Sequence, residues 1–357
     1  MQNTLTITTY PLLFDGHNDQ LSVLDAGGAA RAVQRFRSNP TTAIDLEKAR
    51  AGGFAGGFFA IWVPSDDHAL GDITAMAEAP FDIPLPAPVP REAADRAVHA
   101  QLSIASMLER EGLIRICRSV ADIRAAMNEG IVAALLHIEG AEAIGEDLAA
   151  LDVFYAAGLR SLGPVWSRPN HFGHGVPFRF PSGPDTGPGL TPAGRALIKR
   201  CNALKIMVDL SHLNEAGFWD VAEISTQPLV ATHSNAHALC HSARNLTDEQ
   251  LSAIAQSRGI VGVNFATAFL RSDGRMATDV PLDVVVDHLD YLLERLGEDG
   301  VAFGSDYDGA AVPQEIATVD QIPLLRQAMA ARGYSPALMT KIFHDNWLRV
   351  LSETLGG

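Results

Sequence analysis

The chain has 357 residues, 47% of them hydrophobic and 19% charged, enough to bury a sizeable core. A net charge of −15 argues against a nucleic-acid partner or an anionic membrane surface, since both require a basic face. Cys117, Cys201 and Cys240 are far apart and odd in number, which excludes a CxxC zinc site and a disulfide framework.

The opening "MQNTLTITTYPLLF" lacks a basic segment followed by a long apolar run, so neither a leader peptide nor a cytoplasm-exiting signal is expected. No run of about 18 apolar residues occurs, so no membrane span is expected either. These features predict a cytoplasmic protein.

In chain order, the first predicted strand is "PLLFDGHND" (11–19) and the second is "GGFFAIWV" (56–63). A proline-rich loop (82–92) follows, then the helical pattern "EAADRAVHAQLSIASMLER". The third strand is "IVAALLHIE" (131–139), followed by the helical "EDLAALDVFYAAG"; the fourth is "LRSLGPVW" (159–166), with a Pro- and Gly-rich loop at 177–189. Thr191 then caps a helix that begins at Pro192. The fifth strand (205–212) leads to a helix capped by Asn214, and the sixth (228–234) to one opened by a T-x-x-Q box at Thr247. The seventh (259–265), the helix "PLDVVVDHLDYLLERLG" and the eighth strand (301–308) precede two C-terminal helices. The strands are apolar throughout rather than alternating, as parallel strands buried on both faces are. Eight strands alternating with helices predict an α/β fold of the (β/α)8 TIM-barrel type, one catalytic domain over residues 1–357 with extra C-terminal helices. A doubly wound sheet is the alternative, lowered by the absence of GxGxxG after the first strand.

Polar residues collect where these strands end. His17 and Asp19 are two apart on the first strand and share a face. Glu139 ends the third, His212 the fifth, His233 the sixth, and Asp306 lies at the eighth. Each alone has an ordinary structural explanation; together they form a set of imidazoles and carboxylates without thiolate. Such a set suits zinc, manganese or cobalt, and one carboxylate can bridge two ions. Two divalent ions balance Asp19, Glu139, Asp306 and a bridging hydroxide in charge.

The pieces "DGHND", "HIEG", "VDLSH", "THSNAHALCHSARNLTDE", "VGVNF" and "GSDYDG", in this order, resemble the membrane (renal) dipeptidases and their bacterial relatives in the amidohydrolase superfamily. The resemblance spans residues 12 to about 350. It implies two zinc ions, dipeptide substrates and a homodimer. It also implies that His17 and Asp19 hold the first ion, Glu139 bridges, and His212 and His233 hold the second. Asp306 then matches the residue that takes the proton from the attacking hydroxide, and Arg244 the arginine that grips the substrate's terminal carboxylate. The family's histidine after the fourth strand has no match: Trp166 of "PVWSRPNHFGHG" stands there, with His171 and His174 a few residues on as further substrate-side candidates.

Rival chemistries fit less well. Sites with HxH on the first strand and a carboxylated lysine bridge need a lysine at a strand's carboxyl end. Of the four lysines, Lys205 enters the fifth strand from its other end. A binuclear hydrolase of small amides or lactams, and a non-catalytic metal-binding barrel, remain the alternatives; the latter has no use for Asp306.

Overall fold

The computed structural model describes residues 11–65 and 73–356. The opening decapeptide read for a leader segment, and part of the loop after the second strand, lie outside the described residues. Eleven strands occur among the described residues. They are β1 (Leu13–Asn18), β2 (Phe54–Trp62), β3 (Phe81–Ile83), β4 (Ile114–Ile116), β5 (Val132–Glu139), β6 (Leu159–Gly163), β7 (Phe178–Phe180), β8 (Met207–Val208), β9 (Val230–Ala231), β10 (Ile260–Val263) and β11 (Val301–Phe303).

All eight predicted strands are present, although several are short. They form two curled parallel sheets, one ordered β1-β2-β5-β6-β8 with β4 beside the start of β5, the other β11-β10-β9. Isolated parallel bridges lie where the sheets meet, Asn18 to Tyr307 at one seam and Asp209 to Val230 at the other. The backbone bonds Asp306 N–H to His17 O (3.0 Å) and Leu210 N–H to Val230 O (2.8 Å) cross the same seams.

Successive strand residues alternate between two cores, as the twofold period of a strand requires. Leu13, Phe59 and Leu136 join the larger core, which also holds residues of the surrounding helices. Their neighbours Phe14, Phe58 and Leu135 join an inner core with Met207, Val230, Ile260 and Ala302. Burial on both faces explains the continuous apolar runs. The inner core is completed from the chain's end: Trp347 and Leu351 of the last helix (Asn346–Leu355) pack into it. Trp347 donates its indole N–H to Phe303 O at 2.9 Å and lies against Phe58. The C-terminal region is thus more than the two covering helices expected, comprising Ile322–Ala331, Pro336–Thr340, a π turn and the last helix.

The helix starts follow their caps. Thr191 accepts from Gly194 N–H, Asn214 from Gly217 N–H, and Thr247 and Gln250 make a reciprocal box. The two inserted loops differ from expectation: β3 and β7, one from each, pair antiparallel, Phe81 opposite Phe180 and Ile83 opposite Phe178. Phe81, Ile83 and Phe178 join Met76, Phe269 and Met276 in a small third core above the strand ends.

Candidate metal centre

Each candidate side chain leaves the end of a strand, where the ladder stops and the backbone turns. His17 is the last residue but one of β1, with Asp19 just beyond the strand; Glu139 is the last residue of β5. His212, His233 and Asp306 follow β8, β9 and β11 within a few residues. His212 (φ 69°), Asp306 (φ 61°) and Asp308 (φ 68°) are in the left-handed region, at a cost of roughly 1–3 kcal/mol each for residues with a Cβ. Neighbouring bonds hold them there. Val176 N–H binds His212 O at 2.8 Å, and the Asp308 carboxylate accepts Ala43 N–H (2.6 Å) and Ile44 N–H (3.2 Å).

The strand ends bring these groups together around Glu139. Its Oε2 is 3.7 Å from His17 Nε2, while Oε1 is 3.0 Å from His212 Nε2 and 3.4 Å from His233 Nε2. Asp19 Oδ2 is 3.4 Å from His17 Nε2. Donor atoms of His17, Asp19 and Glu139, of Glu139, His212 and His233, and of His17, His233 and Asp306 each lie within 4.8 Å of one another. The three groups overlap, and Glu139 belongs to two of them.

Hydrogen bonding and charge both fit a cation here. His17 is fully buried, yet neither ring nitrogen has a hydrogen-bond partner, which is costly for a polar group with nothing to bind. His212 Nε2 and His233 Nε2 face each other at 3.2 Å, and their Nδ1 atoms are occupied by Ser167 Oγ (2.9 Å) and Thr232 Oγ1 (2.8 Å). Burial pushes the Glu139 carboxyl up to about 8, with Asp19 and Asp306 adding to the rise. Burial also raises Asp306. For His17 burial opposes the charge, but Glu139, Asp19 and Asp306 outweigh it and raise the imidazole to about 10. Burial, with Arg244 nearby, holds His212 and His233 well below the usual histidine range. His212 and His233 are thus neutral donors beside carboxylates whose negative charge a cation would stabilise.

A cavity of about 490 Å³ opens over the cluster. Asp19, Glu139, His212 and Asp306 line its floor; Trp62, Trp166, Phe178 and Phe269 supply aromatic walls. Trp166 lies 5.7 Å from the His212 ring and 5.5 Å from Trp62. His171 and His174 are in the same loop but are not among the described residues lining the cavity. His171 lies against Phe172 with the rings tilted by 42°, and His174 Nδ1 is 3.3 Å from Gly189 O. Arg244 is also absent from the lining: it is 3% exposed, its guanidinium lies 5.3 Å from the Phe269 ring centre, and it donates to His233 O. Asn264 was overlooked in the sequence. Its amide donates to Asp306 Oδ2 at 2.9 Å, and an amide closing the apolar run "VGVNF" was the signal available.

A buried histidine–carboxylate cluster beneath an open cavity, at the ends of parallel strands, is the arrangement of a metal-dependent hydrolase. The chain belongs to the membrane dipeptidase family, peptidase family M19, whose sequence profile matches residues 1–355. It is 52% identical over 255 residues to an uncharacterised protein in the pqqA 5′ region of Klebsiella pneumoniae, covering 71% of this chain and 94% of that one. A metallopeptidase from Rhodobacter sphaeroides, solved with a phosphinate mimic of the dipeptide L-Ala-D-Ala, superposes with a TM-score of 0.94 at 52% identity, over 97% of this chain and 99% of that one. The M19 metallopeptidase called dipeptidase AC gives 0.94 at 53% identity, over 98% and 100%.

Proposed function

We propose that the protein is a dipeptidase that cleaves the peptide bond of small dipeptides at two divalent ions, zinc by preference, at the mouth of a closed (β/α)8 barrel. The bridges and backbone bonds at both sheet seams support closure. The observation that carries the functional reading is Glu139, whose two oxygens face different donor sets. His17 and Asp19 would hold one ion, His212 and His233 the other, and Glu139 both.

When bound, the ions supply a water of lowered pKa and polarisation of the scissile carbonyl. Asp306 accepts the water's proton and delivers it to the leaving amine. Asn264, bound to Asp306 Oδ2, fixes that carboxylate and leaves Oδ1 for the transfer. Arg244, the buried cation behind Phe269, attracts the substrate's terminal carboxylate. Trp166 gives an apolar wall where the family has a histidine, and with Ala266, Ala268 and Ala310 favours small neutral side chains. The ligand of the Rhodobacter sphaeroides relative makes L-Ala-D-Ala the first substrate to try.

The test compares dipeptides with their C-terminal amides. If Arg244 reads the carboxylate, the acid is preferred by roughly 30- to several-thousand-fold in kcat/KM, the worth of about 2–5 kcal/mol for a charged pair. Arg244→Ala then removes most of that preference. The position of Arg244 outside the cavity lining favours a second reading, hydrolysis of small neutral amides. Equal rates on acid and amide with the unmodified protein would select it.

A further inference from the structure

Asp209 is a buried carboxylate that the proposed reaction does not use. It follows β8, is 1% exposed, and is approached at ion-pair distance by two histidines, His137 Nε2 at 3.6 Å and His233 Nδ1 at 3.9 Å. Three hydrogen bonds satisfy it. Its Oδ1 accepts the backbone N–H groups of Ser211 (3.0 Å) and Thr232 (2.8 Å), and its Oδ2 lies 2.5 Å from Thr232 Oγ1. The same Thr232 oxygen is 2.8 Å from His233 Nδ1.

A count of protons fixes the directions. A hydroxyl has one hydrogen. Asp209 Oδ2 is an acceptor, so the Thr232 hydroxyl donates to it. The Oγ1 lone pair is then what meets His233, and Nδ1 must carry the hydrogen. That leaves the Nε2 lone pair pointing at Glu139 Oε1 and His212 Nε2, the direction in which an ion would bind. The Thr232 main chain is also fixed tightly: a Cβ on Gly262 or Gly304 would collide with its carbonyl, so the hydroxyl is held in place by the packing of β9 against its neighbours.

We propose that Asp209 and Thr232 are positioning residues that set His233 in the Nδ1–H tautomer, and thereby tune the affinity of one of the two ion sites, that of His212 and His233. The proposal rests on the two-ion reading above. Partners of this kind, behind a metal-bound imidazole, are worth about 10–100-fold in metal affinity.

The experiment titrates zinc into metal-free full-length protein, comparing the wild type with Thr232→Val and Thr232→Ser. The wild type is expected to show two binding phases. Thr232→Val should weaken one phase about 10–100-fold and leave the phase of His17 and Asp19 in place, while Thr232→Ser restores both. Asp209→Asn provides an independent check that holds even if Thr232→Val does not fold. Its amide N–H₂ can donate to Oγ1, releasing the hydroxyl to donate to Nδ1 and moving the imidazole hydrogen to Nε2, so the same phase should weaken. Unchanged affinities in Thr232→Val or Asp209→Asn would overturn the proposal. So would equal weakening of both phases, the mark of a purely structural role, or failure of Thr232→Ser to restore binding. A wild type that binds no ion would overturn the two-ion reading itself, a distinct result.

Discussion

His17 shows most plainly how one residue reports on chemistry. A fully buried imidazole that faces two carboxylates while neither nitrogen is hydrogen-bonded has donor capacity that ordinary core packing leaves unused. The acid–base assignment can be tested at the same scale. Asp306→Asn is expected to lower kcat by roughly 10²-fold or more, with metal content measured on the same sample and mostly retained; near-normal turnover would remove Asp306 from the reaction. A second prediction concerns stability. Arg168 is fully buried, binds Glu142 Oε1 through Nε (3.1 Å) and Nη2 (2.9 Å), and donates to Val63 O. Arg168→Ala leaves Glu142 buried without its cation, and should lower unfolding free energy in denaturant by about 3–5 kcal/mol. Residues such as His17, Asp19 and Glu139 were legible because charged groups ending apolar strands are conspicuous. Glu142 and Arg168 were not, since nothing in a sequence pairs positions 26 residues apart in two loops.

Among elements, the strands were readable and their partners less so. The eight apolar runs stand out because each is buried on both faces. β3 and β7 escaped notice because three-residue strands in Pro- and Gly-rich loops carry no period long enough to see. The loops after β9 and β10 are joined by His288 on the helix Leu282–Leu296. Its Nδ1 accepts Ala236 N–H (3.2 Å) and its Nε2 is 3.0 Å from Leu270 O, so the ring works as a neutral group. Burial, partly opposed by the Leu270 bond, lowers its pKa from 6.5 to about 4. A folded value below the unfolded one means that this stability is full above pH 6.5 and is lost as pH falls toward 4. His288→Gln should therefore flatten the pH dependence of stability in that window relative to the wild type, by an amount of the order of 3 kcal/mol. Identical slopes for the two proteins would show that His288 is not the titrating group. Packing between strands makes a further demand. Gly304→Ala would drive a methyl into Thr232 O and should cost about 1–3 kcal/mol, read as a lower denaturation midpoint.

At the scale of the whole molecule, the described helices include none long and apolar enough to cross a membrane, and the inner core draws on both ends of the chain, from Phe14 to Leu351. Ions bound at the strand ends would join β1, β5, β8 and β9 and so stabilise the folded state by mass action, by about 2.7 kcal/mol at a hundredfold excess over Kd. The most direct measurement follows L-Ala-D-Ala hydrolysis as zinc is returned stepwise to chelated protein. The account predicts negligible activity without metal and a plateau near about two equivalents per chain. Full activity after complete chelation, or a plateau at one equivalent, would contradict it.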